Sequence, residues 1–261
     1  VWAPAGDSGF VRLRSSPALL ERYDTSYDSH NFRGTAQPLN LATYQYGQPV
    51  VVNTNPATDR GSQIDTLQKG IYFQDQIKFD ERWILLLGGR HDWADQQQTA
   101  HSNDAKASQS DEATTYRAGL VYLADNGLAP YISYSESFEP LLGNDAYGKA
   151  FVPKKGEQWE AGVKYQPNAG SQFNMALFDL KRENFLTTNP NTFAQEQTGE
   201  AQSKGIEFEA LTAITDQLNL IASYTYTDVE ITRSTDPAEL NRRPVQTPEH
   251  LASIWADYTL R

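Results

Sequence analysis

The chain has 261 residues, contains no cysteine and carries a formal net charge of −11. The negative charge argues against nucleic acid as a partner, because phosphate binding requires a basic surface, and the lack of cysteine excludes disulfide bonds and thiolate metal sites. The longest apolar run, WILLLGG at Trp83–Gly89, is far shorter than the roughly 20 residues of a membrane-spanning helix. These properties exclude a helical membrane protein but not a β-barrel, whose strands place half of their residues on a polar lumen.

The first part of the chain, Val1–Thr66, contains five prolines and only one run that reads convincingly as a strand, Phe10–Arg14. Proline cannot donate to a β-ladder and is confined to edges and loops. We therefore predict a strand remnant followed by a large surface loop in this segment. The chain begins without an initiator Met, and we expect it to be part of a longer protein.

From Leu67 onward, apolar and polar residues alternate with a period of two. This pattern is typical of β-strands that have one apolar and one polar face. In Glu157–Tyr165, EQWEAGVKY, the apolar face carries Trp159 and Val163, and the polar face carries Glu160. We predict nine strands of about ten residues in residues 67–261, which with the remnant gives an all-β, antiparallel chain of about nine or ten strands.

The predicted connections alternate between short and long. The short ones are Asp80–Arg82, Ala124–Gly127, Pro167–Gly170 and Ile214–Asp216. The long, polar ones are Ala94–Ala113, Glu139–Gly156, Thr188–Glu200 and Thr232–Pro248. Short turns at one end of the strands and long polar loops at the other are typical of an outer-membrane β-barrel. A soluble sandwich with Greek-key connections does not sort its loop lengths in this way.

Aromatic residues recur on the apolar parity close to the predicted short turns, or at the matching end of the last strand. Amphipathic rings collect at the headgroup level of a membrane, so we predict a lipid-facing aromatic girdle on the periplasmic side. Its members are Phe79, Trp83, Tyr122, Tyr165, Phe173 and Tyr258. The alternative is that these rings cap the core of a soluble sheet.

Other aromatic residues lie in or beside the N-terminal segment and the predicted long loops. Rings at the outer mouth of a barrel suit a bulky, moderately apolar ligand. The candidate ligand-binding residues are Tyr44, Tyr46, Trp93, Phe138, Tyr147 and Phe193. Two alternatives stay open for them, packing of the loops and an upper lipid girdle. Arg242 and Arg243 are interpreted as solvated or as contacts for lipopolysaccharide phosphates.

Catalytic and metal sites receive little support from the sequence. The four histidines show no ligand-like spacing, so we predict no metal site and no cofactor. Glu207 and Glu209 share one strand face, as the two acids of a glycosidase would. On a barrel wall, however, this face lines the lumen, where charged residues are expected, and we predict no catalytic residue.

Six stretches of the chain stand out in a fixed order. They are GIYFQDQIKFDERWILLLGGRHDWAD (Gly70–Asp95), PYISYSESFEP (Pro130–Pro140), KGEQWEAGVKY (Lys155–Tyr165), SKGIEFEA (Ser203–Ala210), ASYTYTD (Ala222–Asp228) and TPEHLASIWADYTL (Thr247–Leu260). These stretches resemble TonB-dependent ferric-siderophore receptors, and most closely the ferrichrome and hydroxamate branch, including ferrioxamine receptors. The resemblance covers about three quarters of the chain.

The resemblance implies an outer-membrane transporter of a Gram-negative bacterium, with an N-terminal plug domain inside a 22-stranded barrel. A ferric siderophore would bind in the external vestibule, and TonB would pull on the plug to release the ligand inward. Iron would enter only as the siderophore complex.

The chain departs from this family pattern because no plug and no TonB-binding segment can be identified in it. Nine or ten strands cannot close such a barrel, so we expect a fragment of the barrel wall. A passive porin or adhesin barrel is the main alternative, and a soluble carbohydrate-binding module or hydrolase is a more distant one.

Overall fold

The computed structural model of the protein describes residues 12–35, 51–145, 147–244 and 247–259. In chain order, the strands in these ranges are β1 (Arg12–Ser29), β2 (Gly34–Thr35), β3 (Val51–Val52), β4 (Ser62–Phe79), β5 (Trp83–Ala100), β6 (Lys106–Tyr122), β7 (Leu128–Glu139), β8 (Lys154–Asn168), β9 (Ser171–Thr188), β10 (Gln195–Ala213), β11 (Leu218–Arg233) and β12 (His250–Tyr258). One 3-10 helix covers Pro56–Thr58.

The ten long strands form one sheet in the order β1-β4-β5-β6-β7-β8-β9-β10-β11-β12, and the short strands β2 and β3 pair with each other. Each long strand therefore lies beside the next long strand along the chain, as in a simple antiparallel meander. This topology confirms the predicted all-β, antiparallel fold. Within the described ranges, the structure contains no helix with the length and apolar character that a membrane crossing requires.

The extent of the first two long strands differs from the prediction. Strand β1 has 18 residues, whereas the sequence indicated only Phe10–Arg14 and a loop. Strand β4 begins at Ser62, five residues before the predicted Leu67. Residues 20–29 are polar on both parities and exposed on almost every side chain. Hydrophobic periodicity cannot reveal such a strand, because neither of its faces is apolar. It is a strand because its backbone pairs with β4.

The predicted short connections, and the long ones that follow β7 and β11, are found at the predicted positions with bounds that differ by at most three residues. The predicted loop Ala94–Ala113 is wrong, because β5 continues to Ala100 and β6 starts at Lys106. The predicted loop Thr188–Glu200 is also too long, since β10 begins at Gln195. These segments are rich in Asp, Gln, Ser and Thr, so their strands lack the apolar alternation that marks the rest.

Few apolar side chains are buried anywhere in the described residues. The buried ones are Ala94, Phe151, Ala176 and Ala210. A soluble domain of this size would bury many large apolar residues in a core. The chain forms two compact units, a smaller one of Glu21–Gly70 and Asp92–Glu112 and a larger one that includes β7 to β12.

Two of the tight connections depend on the left-handed backbone region. Asp80 and Glu81, between β4 and β5, have φ angles of 49° and 48°, which is the geometry of the two-residue turns that match strand twist. Gly127, before β7, has a φ of 82°. A Cβ at Gly127 would overlap the carbonyl oxygen of Gln166, and the Gln166 amide donates to the Gly127 carbonyl at 2.9 Å.

We predict that Gly127→Ala destabilises the protein more than Gly148→Ala. Both glycines have a φ of 82°, but a Cβ at Gly148 would meet no atom within 4 Å. Gly148→Ala should therefore cost only the left-handed backbone penalty of about 1–2 kcal/mol, whereas Gly127→Ala adds a collision with Gln166. Urea unfolding of the full-length gene product would measure both variants, and equal losses would contradict the steric argument.

Candidate functional site

One face of the sheet formed by β7 to β12 is apolar. Residues paired across neighbouring strands form rows on this face, and these rows consist mainly of apolar side chains. In one such row, Pro130 pairs with Val163, Val163 with Met175, Met175 with Phe208, and Phe208 with Tyr224. Residues that lie directly opposite each other in an antiparallel pair point to the same side of the sheet. The row therefore forms a continuous apolar band across five strands.

This apolar face is largely uncovered within the chain. Trp159, Leu177 and Ile254 expose 55%, 56% and 76% of their surfaces. Soluble monomers rarely expose contiguous apolar patches of more than a few hundred Å². The parity predicted for Trp159 and Val163 agrees with the register, because both belong to this face.

The opposite face of the same strands is polar. The Tyr131 hydroxyl donates to Glu160 Oε1 at 2.5 Å, and Gln158 Nε2 donates to Glu160 Oε2 at 3.1 Å. The Lys164 ammonium lies 5.5 Å from the centre of the Tyr131 ring. Gly162 leaves the space for this ring, since a Cβ there would lie 2.8 Å from it.

Glu207 and Glu209 lie on this polar face, as the sequence indicated. Glu207 pairs with Ala176 and Thr225 across the sheet. Glu209 accepts a hydrogen bond from Asn174 Nδ2 at 3.4 Å. The carboxylate of Glu209 therefore contacts a neighbouring strand, as expected of charged residues that line a polar surface.

The rings of the predicted girdle meet one another at the short-connection ends of the strands. The Trp83 ring lies 6.3 Å from Phe79 and 4.7 Å from Tyr122. Tyr165 and Phe173 are register partners, with ring centres 6.2 Å apart. Aromatic pairs at these distances contribute about 0.5–1.5 kcal/mol each, so the rings reinforce the ends of their hairpins.

The tyrosines of this group combine an apolar ring with a polar contact. The Tyr258 hydroxyl donates to Gln217 Oε1 at 3.2 Å, and Arg82 donates to the Tyr122 hydroxyl at 3.5 Å. Such rings have one apolar side and one polar end, and this combination favours a membrane–water interface.

The predicted ligand-binding aromatics are distributed over several elements. Tyr44 and Tyr46 lie outside the described residues. Trp93 belongs to β5 and is 41% exposed. Phe138 belongs to β7, opposite Lys155. Both residues therefore lie on strands, next to the segments that the sequence predicted as the long loops Ala94–Ala113 and Glu139–Gly156.

Tyr147 lies in the long connection that follows β7, and Phe193 lies in the shorter connection between β9 and β10. Their exposed fractions are 92% and 83%. The loop of Phe193 is closed by hydrogen bonds: the Phe193 amide donates to the Asn189 carbonyl at 2.8 Å, and the Asn189 amide donates to Ala194 at 2.9 Å. Phe193 has a φ of 59°, which is unusual for a bulky residue. The loop therefore holds an aromatic side chain outward in a strained conformation.

Ion pairs tie together the strand ends that carry the long connections. Lys154 lies 2.9 Å from Glu139, and Lys181 lies 2.6 Å from Glu183. Glu200, on β10, receives both Lys181 and Arg233, at 3.5 and 3.7 Å. The sequence analysis missed this network because its members come from separate strands.

The arginine pair 242 and 243 was interpreted as solvated or lipopolysaccharide-binding. Arg243 instead donates to the Thr227 carbonyl at 2.8 Å and to Asp228 Oδ1 at 3.4 Å. It anchors its connection to β11, so its guanidinium already has partners within the chain.

The smaller unit contains a buried acid. Asp59 is 2% exposed, and its Oδ1 accepts hydrogen bonds from the amides of Asn31 and Gly61, both at 2.8 Å. His30 Nδ1 lies 2.6 Å from the other oxygen. Burial raises the pKa of Asp59, but the hydrogen bonds outweigh it and lower this pKa to about 2.

An open polar groove of about 670 Å³ also lies in the smaller unit. Its walls include Asp24, Asp65 and Asp95, one from each of β1, β4 and β5. Ser26 donates to Asp65 and Ser110 donates to Asp95, both at 2.6 Å. The groove is acidic and well hydrogen-bonded.

Comparison with known proteins gives a consistent result. The family model described as TonB dependent receptor-like, beta-barrel matches residues 5–261. The ferrichrome outer membrane transporter/phage receptor of Escherichia coli is 37% identical over 252 residues, with 96% of this chain and 32% of that protein covered. The ferrioxamine B receptor of Salmonella typhimurium is 40% identical over 257 residues, with coverage of 98% and 36%.

Solved structures resemble the fold. The crystal structure of the ferric preacinetobactin receptor from Acinetobacter baumannii has a TM-score of 0.75 at 18% identity, and the match covers 98% of this chain and 39% of that one. The chain spans about a third of the length of the two curated relatives named above.

Proposed function

Because the chain belongs to the β-barrel family of TonB-dependent receptors, we propose that it forms part of the wall of a receptor that takes up a ferric siderophore of the hydroxamate type. The identities of 37% and 40% to relatives named for ferrichrome and ferrioxamine B carry this proposal. Since the chain spans about a third of those relatives, binding and uptake are proposed for the full-length protein.

TonB-dependent receptors are outer-membrane proteins of Gram-negative bacteria, and this is the location of the chain. The exposed apolar face of β7 to β12 would then contact the hydrocarbon of the bilayer. The ring pairs Trp83–Tyr122 and Tyr165–Phe173 would lie at the inner headgroups. The polar face with Glu160 would line the lumen.

In this proposed orientation the long connections would lie outside the cell, where they would meet lipopolysaccharide and the ligand. Trp93, Phe138, Tyr147 and Phe193, together with Tyr44 and Tyr46, are the ligand-binding candidates. Exposed rings suit a bulky ligand with apolar and polar parts, because they add contact area at a low cost in side-chain entropy. The high exposure of Tyr147 and Phe193 supports their availability.

Uptake is proposed to depend on TonB, as the family name implies. Members of the family are receptors and transporters rather than enzymes, so we assign no catalytic role to Glu207 or Glu209. Transport of this kind is a conformational process in which ligand binding and energy input change the population of states. Ferric iron enters this scheme as cargo, within its siderophore complex.

A charge on the apolar face tests the membrane orientation. A cationic side chain at the bilayer midplane costs about 2–4 kcal/mol. Leu177 lies on the apolar face, four residues beyond the girdle ring Phe173, so Leu177→Arg in the full-length gene product should reduce barrel assembly. Asn174→Arg is the matched control, because it places the same charge on the polar face of the same strand, beside Glu209. Heat-modifiable migration of outer-membrane protein on gels would measure assembly. Equal assembly of the two variants would contradict the orientation.

Quenching of tryptophan fluorescence tests ligand binding. Iron hydroxamate complexes absorb light and should quench the full-length protein in a saturable manner. Trp93→Phe should lose part of this quenching if Trp93 lines the ligand site. Trp255→Phe should keep it, since Trp255 lies near the short-connection end of β12, opposite Ile221.

The probes for this experiment are ferrichrome, ferrioxamine B and a ferric catecholate. Saturable quenching by the two hydroxamates and not by the catecholate is the expected result. Quenching by the catecholate alone would contradict the hydroxamate class, and no quenching by any of the three would contradict the receptor proposal.

A further inference from the structure

The smaller unit places His101 beside Asp28 and His30, although His101 follows His30 by 71 residues in the sequence. Asp28 is the second-last residue of β1, His30 directly follows that strand, and His101 lies in the turn between β5 and β6. His101 Nε2 lies 2.7 Å from Asp28 Oδ1, and His30 Nε2 lies 3.7 Å from Asp28 Oδ2. One possible ligand atom from each residue lies within 4.8 Å of the others.

The two imidazole rings lie side by side over the same carboxylate. Their centres are 4.5 Å apart and their planes differ by 20°. His30 and Asp28 are about half exposed, and the side chain of His101 retains 20% of its surface. The exposed parts of His30 and Asp28 leave the cluster accessible to an ion from solvent, while the ring of His101 is largely covered by its surroundings.

Asp59 fixes the orientation of His30. Its Oδ2 lies 2.6 Å from His30 Nδ1, while its Oδ1 is occupied by the amides of Asn31 and Gly61. The Asp59 carboxylate has only acceptor sites, so His30 Nδ1 must carry the proton. His30 Nε2 is then left with its lone pair directed away from Asp59. A carboxylate that orients a histidine in this way is a common feature of protein metal sites.

The backbone around these residues is also closely fitted. The His101 amide donates to the Gly61 carbonyl at 3.1 Å. A Cβ at Gly61 would lie 2.8 Å from His30 Cα, so only glycine allows this approach. Gly61 therefore couples the positions of Asp59, His30 and His101.

We propose that Asp28, His30 and His101 bind a divalent transition-metal ion of the zinc or copper type, with Asp59 as the residue that positions His30. Imidazole nitrogen and carboxylate oxygen are ligands that Zn²⁺ and Cu²⁺ accept. Ca²⁺ and Mg²⁺ prefer all-oxygen sites, and this cluster offers two nitrogens. The proposal is independent of the ferric-siderophore function, which concerns a metal that arrives inside its own chelator.

The distances fit this assignment with small movements. Ligand atoms about 2.0–2.2 Å from a tetrahedral zinc ion are roughly 3.3–3.5 Å apart. The two nitrogen–oxygen distances at Asp28, 2.7 and 3.7 Å, lie on either side of that value. The His101 ring is stacked on the His30 ring. Rotation of the His101 ring out of this stack would turn its Nε2 toward an ion shared with His30 and Asp28. Three protein ligands leave one position for water.

A bound ion would join the end of β1 to the β5–β6 turn. His30 and His101 are separated by 71 residues, so the ion would close a long loop of the chain. Closing long loops restricts the unfolded state, and this is how metal clips stabilise a fold. The sequence predicted no metal site because it offered no His-x-x-x-His spacing, whereas strand pairing supplies the proximity.

The test is a titration of the chelator-treated, full-length gene product with Zn²⁺ in a calorimeter. We expect His30→Gln and His101→Gln each to abolish one binding event present in the parent protein. Asp59→Asn should weaken that event by about 10–100-fold, as is typical when the residue behind a ligating histidine is changed. His250→Gln is the matched control, because His250 contacts Tyr224 and lies outside the cluster, and it should leave the event unchanged.

Electron paramagnetic resonance with Cu²⁺ provides a readout that a folding defect would not imitate. Two nitrogen ligands should appear for the parent protein. Because Cu²⁺ binds nitrogen and oxygen ligands more tightly than Zn²⁺ does, each single histidine variant should retain Cu²⁺ with one nitrogen ligand, while heat-modifiable migration confirms that the variants are folded. Identical Zn²⁺ titrations for the parent protein and a folded His30→Gln, His101→Gln double variant would overturn the proposal. Identical Cu²⁺ spectra for the parent protein and this double variant would also overturn it.

Discussion

The organisation of this protein depends on the register of its antiparallel hydrogen-bond ladder. Every side chain of β7 to β12 is assigned to one side of the sheet by the residue opposite it, such as Met175 opposite Val163 and Phe208. A slip of one residue would transfer a whole strand to the wrong side. The lipid contact, lumen lining and ligand display that we propose are therefore not separate properties, because all of them would follow from one alignment of backbone donors and acceptors.

Short connections protect this alignment at one end of the sheet. The turn at Asp80–Arg82 and the Gly127 turn leave the strands little freedom to shift, and the rings Tyr165 and Phe173 contact each other across their pair. At the other end the strands are held by charges, with Glu200 shared between Lys181 and Arg233. Apolar contacts suit an end that meets a membrane, and ion pairs suit an end that meets water, where water compensates their desolvation.

The sequence predicted the parts of the fold that depend on hydropathy. The strand with Trp159 and Glu160 alternates clearly, and its two faces could be assigned without a structure. Most of the strand Arg12–Ser29 and the part of β5 after Ala94 could not be found, because polar residues occupy both parities there and no hydropathic period results. The pairing of His30 with His101 was also out of reach, since proximity across a sheet depends on which strands pair and in which register.

The closed loop around Phe193 has a consequence for recognition. Asn189 accepts the Phe193 amide, and its side chain binds Glu196 at 2.8 Å and the Asn191 amide at 2.9 Å. Such a loop has already lost most of its conformational freedom before any encounter, so association would not have to order it. In the receptor that we propose, the fixed backbone at Phe193 would restrict where its ring can meet a ligand. Discrimination between similar iron chelates would then include collision at this position as well as attraction.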